Sequence, residues 1–109
     1  MNHSYTPDCW CVLEFTRGNI TIRKVFAGWY GGFTEGDSWK LSSGITESTD
    51  VGDHWRFKNH SGSVYICYKN AHSTTSQMSN IFHRWTADAK EAGTYQVLDV
   101  SSEYVQQLC

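Results

Sequence analysis

The chain carries four cysteines and five histidines, residue types that bind transition metals. Candidate ligands are Cys9, Cys11, Cys67, Cys109, His54, His60, His72 and His83. Structural zinc sites usually combine two close Cys pairs, or a Cys pair with a His pair. Only Cys9 and Cys11 are close, and their one-residue gap is shorter than in such sites. The spacing therefore favours reduced, buried cysteines that act as small hydrophobic side chains, and we expect neither a metal nor a cofactor.

Residues for nucleophilic or acid-base catalysis are present without a recognisable arrangement. Ser, His and Asp occur, but no nucleophile elbow, phosphate loop or zinc-protease helix motif does. The glycine-rich run 28–32 contains two bulky rings and is not followed by Lys-Ser/Thr, which indicates a turn rather than a phosphate cradle. Glu35 and Asp37 are two residues apart in a glycine-flanked loop, where solvated carboxylates are the simpler interpretation. We expect no enzyme activity.

Composition limits the protein class. The 109 residues include 15% aromatic residues, 9 Lys+Arg and 11 Asp+Glu, for a formal charge of −2. This balance excludes a generally basic duplex-DNA binder and a strongly acidic DNA mimic. No apolar run reaches the roughly 20 residues that cross a bilayer, and residues 1–4 lack signal-peptide features. We expect one soluble, cytoplasmic domain over residues 1–109.

The spacing of apolar residues predicts the strands and the helix that position the candidate residues. Alternation predicts an antiparallel sheet of about five to six strands. The strand segments are 9–16, 20–30, 38–41, 54–58, 63–69 and 94–100, and 44–46 is a further candidate. Met78, Ile81, Phe82, Trp85 and Ala89 recur at helical spacing and predict an amphipathic helix over about 75–91, ended by Gly93.

These segments predict an α+β domain. One helix packs on a face of the antiparallel sheet, and residues 101–108 form a short C-terminal helix. The acidic run 47–53 is predicted to be an exposed loop.

The aromatic residues suggest protein recognition. One small core can hardly bury all 5 Trp, 6 Tyr and 5 Phe, and exposed Trp and Tyr often anchor interfaces. The rings near the glycine-rich bend have no evident core role. We predict one partner-binding surface at Trp29, Tyr30, Phe33, Glu35 and Asp37. A second, acidic surface is predicted at Glu47, Asp50 and Asp53.

Single-stranded nucleic-acid binding is an open alternative. The hairpin over 54–69 interleaves rings and cations, and rings on a sheet can stack on unpaired bases. Its residues would be Trp55, Arg56, Lys58, Tyr65 and Lys69. Alternation places Trp55 and Arg56 on opposite faces, which argues against a shared surface. An enzyme without a recognisable motif is the third hypothesis.

Two segments carry a resemblance to a known class. Asp37-Ser38-Trp39-Lys40-Leu41-Ser42-Ser43-Gly44-Ile45 and Ser61-Gly62-Ser63-Val64-Tyr65-Ile66-Cys67-Tyr68-Lys69 resemble short stretches of small proteins carried by bacteriophages and prophages. This resemblance implies an accessory domain that binds and blocks a host protein, as anti-CRISPR proteins and other defence inhibitors do. It transfers no catalytic residue. We therefore expect a bacterial host protein or complex as partner, and an unpaired edge strand leaves a homodimer open.

Overall fold

A computed structural model describes residues 3–31 and 36–105. Within these residues the chain forms eight β-strands, one α-helix and two short 3-10 helices. The strands are β1 (Ser4–Tyr5), β2 (Cys9–Arg17), β3 (Ile20–Trp29), β4 (Ser38–Leu41), β5 (Ile45–Asp50), β6 (His54–Asn59), β7 (Val64–Tyr68) and β8 (Gln96–Asp99). Helix α1 spans Ser76–Ala92, and the 3-10 helices span Lys69–Ala71 and Ser101–Glu103.

The strands form two four-stranded sheets. One has the order β1-β7-β6-β5 and the other β4-β3-β2-β8. Neighbouring strands are antiparallel except β1 and β7, which are parallel. The α+β class and the helix on a sheet face are confirmed. The prediction of a single sheet of five to six strands is wrong, because eight strands divide between two sheets.

Strand β2 shows why two sheets form, since both of its faces are buried. Cys9, Cys11 and Leu13 belong to the core beneath α1. Trp10 and Val12, which alternate with them, belong to a second core that faces the other sheet. A strand that is apolar on both faces must be covered on both. The protein therefore has three layers: a sheet, a second sheet and a helix.

Helix α1 lies close to its predicted position and has defined ends. The Thr75 side chain accepts a hydrogen bond from the backbone N–H of Met78 at 3.1 Å, which caps the helix. Gly93 ends it in the left-handed conformation, with φ of 68°. Gly28 allows the first turn to approach the sheet, because a Cβ there would lie 2.4 Å from the Met78 sulfur. Within the described residues, no helix is both long and apolar enough to cross a membrane.

Two local predictions need correction, and one strand was not predicted. The acidic loop over 47–53 is mostly strand, since β5 continues to Asp50 in register with β6. The C-terminal helix is a single 3-10 turn at Ser101–Glu103, and residues 106–108 of the predicted segment lie outside the described residues. Strand β1 has no counterpart in the prediction, because two residues are too few to show periodicity.

Candidate partner-binding surface

The end of the helix-covered sheet presents exposed rings. Tyr30 follows β3 and is 59% exposed, and Trp39 on β4 is 38% exposed. The last pair of the β3–β4 ladder is Trp29 with Ser38, so Tyr30 and Asp37 extend the two strands side by side. Side chains alternate along a strand, so Tyr30 points to the α1 side, as the buried Phe26 does.

A groove of about 890 Å³ separates this end of the sheet from α1. We call it the edge groove. Its lining residues are Gly36, Asp37, Trp39, Gln77, Asn80, Ile81, Arg84 and Trp85. From the strand side Asp37 contributes a carboxylate, and from the helix side Arg84 contributes a guanidinium and Gln77 and Asn80 contribute amides. The floor between them is aromatic and aliphatic.

The Trp39 ring is held in place by the core. It lies edge-on to Phe26, with ring centroids 5.6 Å apart, and edge-on to Trp85 at 5.8 Å. Such edge-to-face contacts restrain a ring without burying it fully. Trp39 is therefore exposed and oriented at the same time.

Two glycines close the base of the β3–β4 connection. A Cβ on Gly31 would overlap the carbonyl of Gly36, so the backbone at these positions is in direct contact. Gly36 itself has φ of 67°, a conformation that favours glycine. The predicted contact residues Phe33 and Glu35 fall between them and lie outside the described residues.

The other predicted residues of this surface divide between two environments. Tyr30 and Asp37 are exposed at the end of the sheet. Trp29 faces the opposite side, half-buried, and its indole N–H donates to the Thr6 carbonyl at 3.2 Å. Sequence reasoning missed Trp39 and Arg84, which are far apart in the chain and line the same groove only because of tertiary packing. The one available signal was the position of Trp39 just after the glycine-rich loop.

Basic side chains lie among the carboxylates of the predicted acidic surface. Asp50 accepts a hydrogen bond from the Lys69 ammonium at 2.8 Å, which lowers the pKa of this exposed carboxyl. Asp53 lies 2.7 Å from the Nδ1 atom of His54. Glu47 is exposed and stands opposite Lys58 across the β5–β6 ladder. These carboxylates are thus distributed among basic neighbours rather than gathered into one acidic patch.

The five residues of the nucleic-acid alternative do not all lie on one surface. Tyr65 is 1% exposed, and burial raises its pKa to about 12. Trp55 is half-buried, donates its indole N–H to the Tyr104 carbonyl at 2.8 Å, and has the Lys69 ammonium 5.6 Å from its ring centroid. Arg56 and Lys58 are exposed on the opposite face of β6. A base could not stack on Tyr65 in this conformation.

Three cysteines are free thiols inside the cores. Cys9, Cys11 and Cys67 are all buried. Burial raises the pKa of the Cys11 and Cys67 thiols far above the usual value. Cys109 lies outside the described residues. Over residues 3–31 and 36–105, no three His, Cys, Asp or Glu side chains converge in a geometry that could hold a metal ion.

Comparison of the chain with protein-family models, curated proteins and solved structures finds no match.

Proposed function

We propose that this protein is a non-catalytic protein-binding domain that contacts its partner through the edge groove and Tyr30. The observation that carries the proposal is the exposure of Trp39, whose ring is held edge-on against Phe26 and Trp85 at the floor of the groove. An exposed ring that is already oriented loses little conformational freedom on binding, which favours affinity.

The residue types around Trp39 fit an interface. Interface hot spots are rich in Trp, Tyr and Arg, and a polar rim usually surrounds their apolar centre. Here Tyr30 and Arg84 accompany Trp39, and Gln77 and Asn80 supply neutral hydrogen-bonding groups at the rim. Asp37 and Arg84 have opposite charges, so the surface suits a partner with matched polar groups rather than one of a single charge.

The proposed partner is a host protein in the bacterial cytoplasm, and the proposed role is inhibition of a defence or nucleic-acid-processing complex by a phage-encoded domain. The resemblance of segments 37–45 and 61–69 to small phage proteins supports this context. The first of these segments contains Trp39 and all of β4, so it overlaps the proposed binding surface.

Site-specific photo-crosslinking in bacterial cells tests the proposal. A photoreactive phenylalanine analogue is placed at Tyr30 in one variant and at Trp39 in another. A third variant carries it at Leu98, which is 43% exposed on the strand at the far edge of the same sheet. Discrete adducts from the first two positions, identified by mass spectrometry as the same host protein, are the expected result.

Leu98 serves as the matched control because it is exposed to a similar extent as Trp39 but distant in the strand order. Far-UV circular dichroism establishes that all three variants are folded. If positions 30 and 39 yield no adduct, or no more adduct than position 98, this surface does not bind a partner and the proposal fails.

A further inference from the structure

The outer edge of β4 has backbone groups that no described strand pairs with. β4 is the terminal strand of its sheet, with β3 as its only neighbour among the described strands. The Ser42 N–H donates to the Val25 carbonyl at 2.9 Å. Alternate residues of an antiparallel strand bond to the same neighbour, so the backbone N–H and C=O groups of Lys40 also face β3. The backbone N–H and C=O groups of Trp39 and Leu41 therefore point outward.

Two cavities of different character flank this edge, one on each face of the sheet. The edge groove lies on the α1 side and includes Trp39. A pocket of about 200 Å³, which we call the serine pocket, lies on the other side and contains Lys40, Tyr5, Ser61 and Ser63. Successive side chains of a strand point to opposite faces. A strand added beside β4 would therefore place neighbouring side chains alternately into the two cavities.

The serine pocket has the chemistry to bind an acidic side chain. The Lys40 ammonium lies 4.7 Å from the Tyr5 ring centroid and 3.4 Å from its hydroxyl. It forms no ion pair with any carboxylate of the described residues. The hydroxyls of Ser61 and Ser63 hydrogen-bond to each other at 3.1 Å, so one of the two keeps a hydrogen atom that it can donate to an acceptor.

We propose that an extended segment of a partner protein adds to β4 as a fifth strand of this sheet. A large apolar side chain of the segment enters the edge groove, and an adjacent acidic side chain enters the serine pocket. The inference rests on the proposed function, and it adds the mode of binding and the pattern recognised. Main-chain hydrogen bonds to Trp39 and Leu41 would supply affinity, and the two cavities would supply specificity.

A second copy of this chain fits the edge less well. If two β4 strands paired antiparallel with both Trp39 and Leu41 bonded, Lys40 of one copy would stand directly opposite Lys40 of the other. Like charges directly opposite each other on a sheet face are destabilising. A foreign segment with a carboxylate at this position is attracted instead.

Peptide display on the intact chain, followed by synthesis of the selected peptides, tests the inference. Random linear peptides of about 12 residues span the four residues of β4 with room on both sides. We expect the selected sequences to share a large apolar residue next to Asp or Glu. N-methylation at alternate residues of the synthetic peptide should then abolish binding, because only these N–H groups face β4. N-methylation at the residues between them should not abolish it.

A charge reversal supplies the matched variant. Lys40→Glu should weaken binding of the acidic peptide by roughly tenfold or more and favour peptides with Lys or Arg at that position. Lys24→Glu on β3, outside both cavities, should leave binding unchanged. In backbone NMR spectra, peptide binding should protect the Trp39 and Leu41 amides from exchange.

The outcomes separate the two proposals. Peptides that bind at Tyr30 and the edge groove without the alternating N-methyl effect would leave the proposed function standing and overturn strand addition. Self-association through β4, seen as a concentration-dependent dimer with protected Trp39 amides, would also overturn it in favour of a second copy. If no selected peptide perturbs this end of the sheet and crosslinking at Tyr30 and Trp39 also fails, both proposals are overturned.

Discussion

The indole of Trp39 stands edge-on to the indole of Trp85, with ring centroids 5.8 Å apart and ring planes at 77°. Trp85 is the inner member of the pair, since it also contacts Phe15 and Phe26 at centroid distances of 6.3 and 5.2 Å. Trp39 keeps more than a third of its surface exposed. The contact joins β4 to α1. The two rings differ in their surroundings, because Trp85 packs against core rings whereas Trp39 remains partly exposed to solvent.

Alanine substitution should distinguish the two rings. Trp85→Ala removes a ring packed against three others and should lower the free energy of unfolding by about 3 kcal/mol or more. Trp39→Ala should cost about 1 kcal/mol, because much of its ring already contacts water. Urea denaturation followed by circular dichroism measures both. Equal losses would mean that Trp39 serves the core rather than a partner.

The contact between Gly28 and α1 should tolerate no side chain. In Gly28→Ala the new Cβ would lie 2.4 Å from the Met78 sulfur and 2.9 Å from the Cys9 sulfur, both in the core. We expect a loss of about 1–3 kcal/mol in the free energy of unfolding. Because the clash is with Met78, adding Met78→Ala should cost less in the Gly28→Ala background than in the wild-type chain. Additive effects in this double-mutant cycle would contradict the proposed clash.

The ion pairs of Arg23 should stabilise the packing of the 3-10 helix Ser101–Glu103 against the sheet. Its Nη1 and Nη2 atoms donate to the two carboxylate oxygens of Glu103 at 3.1 and 2.8 Å, and its Nε donates to Glu14 at 2.9 Å. Arg23→Met should cost about 1 kcal/mol at low ionic strength and less in about 1 M salt, because these partly exposed charges are screened. Chemical denaturation at the two salt concentrations tests this. Arg23→Lys should recover only part of the loss, since lysine cannot form the paired contact with Glu103.

Stability should decline in alkali because of buried acids that stay protonated in the fold. Burial raises the pKa of the Cys11 and Cys67 thiols, and that of Tyr65 to about 12. Above about pH 8.5 the unfolded chain releases thiol protons that the folded chain retains, so the free energy of unfolding falls as pH rises. Tyr65 adds to this decline from about pH 10, where tyrosine ionises in the unfolded chain, through its folded pKa of about 12.

Denaturation at about pH 7, 9 and 10 measures this slope, which can reach about 1.4 kcal/mol per pH unit for each group. Cys67→Ala removes one titrating group, so its slope between pH 9 and 10 should be shallower, whatever stability it loses at neutral pH. A slope unchanged by this substitution would show that Cys67 does not contribute.

Secondary structure was predictable from the sequence where it depends on residues that are close together in the chain. Alternation in β2 and β3, the helical spacing from Met78 to Ala89, and the glycine after α1 each depend on near neighbours in the chain. The segments predicted from them agree with the structure to within a few residues over the strands of the helix-covered sheet and over α1. Alternation on β6 also predicted that Trp55 and Arg56 face opposite sides.

Tertiary structure decided what covers each face and which distant residues meet. Trp10 and Val12 could have faced water or a second layer, and only packing against the other sheet determined that β2 is buried on both sides. Trp39 and Arg84 line one groove because α1 crosses the sheet beside β4. Periodicity describes the faces of one element, whereas the candidate binding surface arises from the placement of two elements, which depends on long-range packing.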